Sequence, residues 1–265
     1  MYATSYHRAS SVEDAVKLRG EHEEGRYLSG GMTLIATMKQ RLAAPSDLID
    51  LRHIPDLKGV SVDGRNVRIG AGTPHADVAG SAALRSVCPA ICELAGLIGD
   101  PHVRHMGTIG GSIANNDPAA DYPAAMLGLG ATIITDRRWL AADDFFTGMF
   151  ETALEEGEMV TAVTFEAPEK AGYAKFANPA SRYALTGVFV AKRGDGVRVA
   201  VTGAGADGVF RHAGMEAALA SSWSPDSVAG TEVAAADLLS DMHASPDYRA
   251  NLVKVMAKRA VMAAG

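Results

Sequence analysis

Cysteine is nearly absent from this chain: two residues, Cys88 and Cys92, among 265. That excludes a disulfide framework. It also excludes an iron–sulfur cluster of the ordinary four-thiolate kind held by this chain alone. The pair in CPAIC reads as two small buried hydrophobes one helical turn apart, or as a redox pair. No run of Lys and Arg occurs and the formal net charge is −6, which argues against a nucleic-acid surface. No stretch approaches the roughly 18–20 apolar residues needed to span a bilayer. The N-terminal MYATSYHRASSVEDAV lacks the apolar core of a signal peptide. The expected location is therefore cytoplasmic, with any membrane association made through partner proteins. No Ser/His/Asp or Cys/His constellation stands out, so no catalytic side chain is assigned. Repeats and low-complexity linkers are missing too. Aromatics are only 6 % against 48 % hydrophobic residues overall, which describes a finely packed, alanine-rich globular core.

Glycine, by contrast, is abundant and patterned. Residues Gly107 to Asp121 read GTIGGSIANNDPAAD, and Ser29-Gly30-Gly31-Met32-Thr33 lies upstream. A glycine pair tolerates positive φ and lets backbone approach a large ligand. The upstream pair precedes LIATMKQRL, whose Leu34, Met38 and Leu42 fall on one helical face. Free N–H groups at such a turn attract anions. Each pair alone reads first as a tight turn. Together they suit a ligand with an anionic middle and polar ends, such as a dinucleotide, with Thr108, Ser112, Asn115, Asn116, Asp117 and Asp121 supplying polar contacts.

The chain divides at polar breaks near residues 55 and 169. In the first segment Ser11 caps a helix with Asp14 three residues on, and Glu13 adds to the acidic first turn. A strand ends at Tyr27-Leu28 and another covers residues 48–51, giving an α–β–turn–α–β start. The next segment has strands at Val60–Val62 and Val67–Ile69, with helices from Ala76 to about Ile98 broken near Pro89. The glycine motif comes next, then a helix opened by Asp117-Pro118 and running through Met126. Strands follow at Ala131–Thr135 and Met159–Phe165. In the last segment, Tyr173–Phe176, Gly187–Lys192 and Val197–Thr202 read as one antiparallel sheet. His212–Ala220, Thr231–Leu239 and Pro246–Met262 read as helices. The class is α+β.

Several tempting features have plain explanations. GAGADG at Gly203–Gly208 is a literal GxGxxG. The strand before it alternates, as in an antiparallel sheet with one exposed face, and too little chain follows for a dinucleotide fold. His102 and His105 flank Arg104 beside Asp100 without further ligands, so a polar loop is expected and no metal site is assigned. Arg137-Arg138 and the Glu155, Glu156, Glu158 cluster read as solvated turns. Arg249, Lys254, Lys258 and Arg259 ride a C-terminal helix whose other side carries Leu252, Val255 and Met256. They read as a solvated face or a docking surface.

The segments YLSGGMTLI and RHMGTIGGSIANNDPAADYPAAMLGLGATI, with APSDLIDLRHIPDLKGV, VRIGAGT and the C-terminal DYRANLVKVMAKRAV, resemble the FAD-binding medium subunits of the molybdenum hydroxylases. The resemblance spans essentially the whole chain. It implies a two-lobed FAD-binding domain of the PCMH/vanillyl-alcohol-oxidase-like type over residues 1–169, with lobes of about 1–55 and 56–169. It also implies a smaller α+β C-terminal domain over 170–265, of the carbon monoxide dehydrogenase flavoprotein type. In the family the first glycine turn holds the FAD pyrophosphate. This places Ser29, Gly30, Gly31, Met32 and Thr33 on it, with Leu28 and Leu34 as neighbours; Met32 departs from the usual small or polar residue. Thr108, Ile109, Gly110, Gly111 and Ser112 match the second cofactor-wrapping turn, and Asp121 matches an FAD-binding aspartate. Ile98, Met159 and Val160 match apolar positions at the flavin ring. Lys175 matches a flavin-contacting lysine, and Tyr183 a tyrosine lying over the ring; Arg182 replaces a common acidic residue. The loop around His102 corresponds to one that approaches the flavin and the electron-donating subunit. The implied function is that of an FAD-dependent oxidoreductase subunit in a heterotrimer. It takes electrons from [2Fe–2S] clusters on a small iron–sulfur subunit, which draws them from a large molybdenum-cofactor subunit, and passes them to an external acceptor. A dimer of heterotrimers is the family's usual assembly. A stand-alone FAD-dependent oxidoreductase acting on a small molecule, and a non-catalytic assembly module, are the alternatives.

Overall fold

The computed structural model describes residues 1–265. Its first unit is β1 (Ser5–Arg8), α1 (Val12–Glu21), β2 (Arg26–Leu28), α2 (Leu34–Lys39) and β3 (Asp47–Asp50). The strands form a small parallel sheet in the order β1-β3-β2. The cap at Ser11 forms as expected, its hydroxyl accepting from Asp14 N at 3.1 Å. Asp14 reaches back to Ser10 rather than Ser11. Two expectations need correction. The chain begins with a strand, not a helix: SYHR carries no apolar alternation because β1 is a mostly exposed edge. The helix after the first glycine pair ends at Lys39, and Arg41 takes a positive φ of 62°. Leu42 is therefore exposed and leaves the face of Leu34 and Met38.

The second unit opens with the hairpin β4 (Val60–Asp63) and β5 (Asn66–Gly70), where Val67 and Ile69 point inward as their alternation requires. Helices α3 (His75–Gly80), α4 (Ala82–Val87), α5 (Pro89–Gly96), α6 (Pro101–Met106), α7 (Ile109–Asn115) and α8 (Tyr122–Leu129) follow. Then come β6 (Thr132–Thr135), β7 (Trp139–Ala141), the one-turn α9 (Ala142–Phe145), the small hairpin β8 (Phe146–Gly148) and β9 (Glu151–Thr152), and β10 (Val160–Glu166). The sheet runs β4-β5-β10-β6-β7, with β10 antiparallel to both neighbours. Cys88 and Cys92 are free and buried among the helices. The helix expected from Asp117-Pro118 starts only at Tyr122. The carbonyls of residues 118–120 are taken instead by donors from the next unit. Gly203 N and Thr202 Oγ1 donate to Pro118 O at 2.8 and 3.1 Å, and Thr202 Oγ1 reaches Ala120 O at 2.6 Å.

The third unit is the antiparallel sheet β11 (Lys170–Ala177), β12 (Ala184–Arg193), β13 (Gly196–Thr202) and β14 (Phe210–Arg211), with α10 (Ala213–Ser221) and α11 (Pro246–Ala263). Helices α10 and α11 cover one face, while α5 and α8 of the second unit lie on the other. Tyr173, Phe189, Ala191 and Ala200 accordingly join the 30-residue core of the second unit. The exposed face expected for β13 does not exist, and β12 is buried along most of its length. GAGADG is a strand-to-strand turn between β13 and β14. The helix expected over residues 231–239 is one 3₁₀ turn at Ala235–Asp237. Its backbone is drawn into a bridge with that glycine turn, Ala206 N donating to Asp237 O and Leu239 N to Ala204 O. Arg249 is not on a solvated face of α11. Its guanidinium is buried and donates to Leu185 O and Gly203 O at 2.7 and 2.6 Å and to Asp241 at 2.7 Å.

Candidate functional site

A cleft of about 670 Å³ opens where the three units meet, within the size range of pockets that enclose cofactor-sized ligands. Strand β2 delivers the first glycine turn to its wall. Gly31 has φ +71°, a conformation that favours glycine. The N–H groups of Gly30, Gly31, Met32 and Thr33 donate to no acceptor in the chain, and helical bonding resumes only with Ile35 N to Gly31 O at 3.0 Å. Four consecutive amides without a partner, on residues that line a cleft, are the donors an anion-binding turn requires.

The second glycine turn works differently. Thr108 caps α7, its hydroxyl accepting from Gly111 N at 3.2 Å. Ile109 N donates to Thr73 O and Gly110 N to Ala71 O, at 3.2 and 2.8 Å. A Cβ on Gly110 would lie 2.4 Å from Ala71 Cβ, so this glycine serves close packing onto the strand end after β5. Ile109 sits in the core and, alone among the residues matched to the family's cofactor contacts, does not line the cleft. Asn116 also turns away, donating from its side chain to Gly148 O and Glu151 O at 2.8 Å each. The two glycine turns are locked together. Ser29 Oγ and Thr108 Oγ1 share a 2.8 Å hydrogen bond, and a Cβ on Gly30 would stand 2.1 Å from Met106 O.

The cleft is also lined by a charged pair contributed by two units. Asp121 precedes α8; Lys175 and Tyr173 stand on β11. Lys175 Nζ donates to Asp121 Oδ2 at 2.9 Å and to Leu97 O at 3.2 Å, and Tyr173 Oη donates to Asp121 Oδ1 at 2.5 Å. The Asp121 and Lys175 side chains are almost wholly buried. Burial pushes the Asp121 carboxyl above its usual range, against the pull of the Lys175 ammonium and the Tyr173 hydroxyl. The cation at this wall is thus held in place by a carboxylate.

Leu57, Ile98, Leu154, Met159 and Val160 give the cleft its apolar side. Tyr183, 47 % exposed, lies at the rim beside Arg182, which has φ +63°. Glu158 lies next to Met159 and corrects the solvated-turn reading. Arg138 grips it through two bonds of 2.9 and 2.8 Å, and Thr135 Oγ1 and Glu155 N donate to it as well. The Arg138 hydrogen bonds hold the Glu158 carboxyl down to about 2. His75 also lines the cleft, and no sequence signal marked it. Burial, and then the nearby charge of Arg104, lower its imidazole to about 4, so the ring is neutral near pH 7. Its Nδ1 and the hydroxyl of the adjacent Tyr122 have no hydrogen-bond partner. His102 and His105 lie on α6, where His105 Nδ1 contacts Pro101 O at 2.6 Å.

The combination of free amides, an apolar wall and a paired lysine fits a ligand with a phosphate middle and a flat aromatic end. Residues 2–167 match the family model described as FAD binding domain in molybdopterin dehydrogenase. The chain is 33 % identical to the carbon monoxide dehydrogenase medium chain of Hydrogenophaga pseudoflava, over 98 % of this chain and 96 % of that one. It is 34 % identical to the nicotine 6-hydroxylase medium subunit of Paenarthrobacter nicotinovorans, over 99 % and 98 % of the two chains. It superimposes on a chain of the reconstituted CO dehydrogenase from Oligotropha carboxidovorans with a TM-score of 0.90 and 34 % identity, covering 100 % of this chain and 99 % of that one.

Proposed function

The chain belongs to the family of FAD binding domains in molybdopterin dehydrogenases, and from that premise we propose that it is the FAD-carrying, electron-transferring subunit of a heteromeric molybdenum hydroxylase. FAD, when bound, supplies a redox centre able to take up and pass on electrons. The chain's own residues bind and orient it. The free amides of Gly30 to Thr33 would receive the pyrophosphate, and the Ser29–Thr108 bond keeps the two turns at a fixed separation. Leu28, Leu34, Thr108, Gly110, Gly111 and Ser112 flank that contact. Ile98, Met159 and Val160 would supply an apolar wall for the ring, and Tyr183 at the rim would offer it an aromatic face. Lys175, steadied by Asp121, would offer the bound ring a positive charge. The observation that carries this reading is the row of four unpartnered amides wedged against the second glycine turn.

The partners are a large molybdenum-cofactor subunit and a small iron–sulfur subunit, in a cytoplasmic assembly of two heterotrimers. No helix is long and apolar enough to cross a membrane. In that assembly the large subunit would oxidise the substrate, and [2Fe–2S] clusters of the small one would supply electrons to this chain. The FAD-loaded chain alone therefore should not turn over the substrate of the complex, and adding both partners should restore electron flow to an acceptor. Steady substrate oxidation by the isolated chain would instead support a stand-alone oxidoreductase.

A further inference from the structure

The N-terminal unit carries a side-chain cluster remote from the cleft. His7 lies on β1, His22 at the end of α1, and Asp47 opens β3. His7 Nε2 stands 2.6 Å and His22 Nδ1 3.4 Å from the same oxygen, Asp47 Oδ1. The two imidazoles stack with centroids 4.4 Å apart and planes 30° off parallel. All three donor atoms lie within 4.8 Å of one another. The second carboxylate oxygen, Oδ2, accepts from Ser46 Oγ at 2.6 Å, which fixes how Asp47 presents Oδ1. None of the three residues lines the cleft.

We propose that His7, His22 and Asp47 form a binding site for a divalent transition-metal ion, with zinc the leading candidate. Two imidazole nitrogens and one carboxylate oxygen are the donor types that zinc prefers, and soft thiolates are absent. Tetrahedral zinc with bonds of about 2.0–2.2 Å sets its donor atoms about 3.4 Å apart. The His22–Asp47 separation already has that value, and the His7–Asp47 separation must open by less than about 1 Å, within the reach of a χ adjustment. Both rings remain partly exposed, with side chains 27 and 31 % accessible, so water can complete the coordination. The sequence hides the site because positions 7, 22 and 47 follow no ligand spacing; the parallel pairing of β1 with β3 brings the first and last together. The core beneath is small, seven buried residues, so an ion joining β1, α1 and β3 would act as a staple.

The test uses the untagged, FAD-loaded full chain, stripped with chelator and titrated with zinc against a competing indicator. One zinc per chain should bind, and the apparent melting temperature should rise with zinc concentration. His22→Gln, which keeps a hydrogen-bonding side chain, should weaken affinity at least tenfold, and His7→Ala should do the same. His102→Ala/His105→Ala should leave binding unchanged. Zinc-edge X-ray absorption should report two imidazoles in the first coordination shell. Absence of saturable binding, or affinity unchanged in both His22→Gln and His7→Ala, overturns the proposal.

Discussion

Alanine at position 30 gives a sharp test of how the two glycine turns make one site. The added Cβ would meet Met106 O at 2.1 Å, Met106 C at 2.8 Å and Gly107 Cα at 2.7 Å. All three are backbone atoms, so no side-chain rotation relieves the clash, and the turns must part by roughly 1 Å. Overpacking of this kind costs about 1–3 kcal/mol. Movement of the 29–33 turn pulls its free amides off the ligand and strains the 2.8 Å Ser29–Thr108 bond. At about 1.4 kcal/mol per decade, the FAD dissociation constant of Gly30→Ala should rise about ten- to a hundredfold. The assay is a fluorescence titration of FAD into apo-protein, with circular dichroism confirming that the variant folds. Gly20→Ala, in α1 and outside the cleft, is the control. Its Cβ meets nothing within 4 Å, and alanine favours the helix it joins. That variant should bind FAD within about threefold of the parent, since the cost is well under 1 kcal/mol. Parent-like affinity in Gly30→Ala, or a comparable loss in Gly20→Ala, would refute the reasoning.

Asp121→Asn leaves the Lys175 ammonium buried without its counter-charge and should cost about 3–5 kcal/mol in urea unfolding. The double variant with Lys175→Met should cost less than the sum of the two single changes. Glu158, held near pH 2 by Arg138, contributes stability that is fully present above its unfolded value of 4.5 and is lost as pH falls from there towards 2. Because Arg138 is more than a third exposed, screening limits this share to on the order of 2 kcal/mol. Glu158→Gln should flatten part of the acid limb of a stability–pH curve. Asp50 supplies a share that remains: burial would raise its carboxyl, but hydrogen bonds from Arg52 and Tyr6 hold it at about 2. Tyr183→Ala, at the exposed rim, should change stability by less than about 0.5 kcal/mol. It should also make bound flavin measurably more accessible to iodide quenching; unchanged quenching would place Tyr183 off the ring.

Much of this architecture could be read from the chain because local signals agreed with tertiary demand. Val67 and Ile69 alternate on a strand with one buried face, Ser11 caps the helix it precedes, and β11 to β13 pair as their patterns require. Signals failed where another part of the chain claimed the backbone. Residues 231–239 have helical composition, but the turn after β13 takes their hydrogen bonds. Pro118 and Ala120 lose their carbonyls to Thr202 and Gly203, and Ala119 loses its carbonyl to Ala184 N, in the same manner. Glu158 and Arg249 are charged residues that look solvated in sequence and are buried by partners up to 64 residues away. At the site, the glycine pairs were visible, but their division of labour was not. That Gly30 and Gly110 are spacers, while the open amides belong to one turn only, depends on Met106 and Ala71, which no local pattern links to them. His75 reaches the cleft wall with no sequence cue at all.

The central claim is that this cleft holds FAD, and the most direct measurement is the absorbance spectrum of the purified full chain, alone and with its partner subunits, followed by acid release and identification of the cofactor. One FAD per chain, released intact and held about ten- to a hundredfold more weakly in Gly30→Ala, is the predicted result. A colourless chain that takes up no FAD, either alone or in the assembled complex, would contradict it.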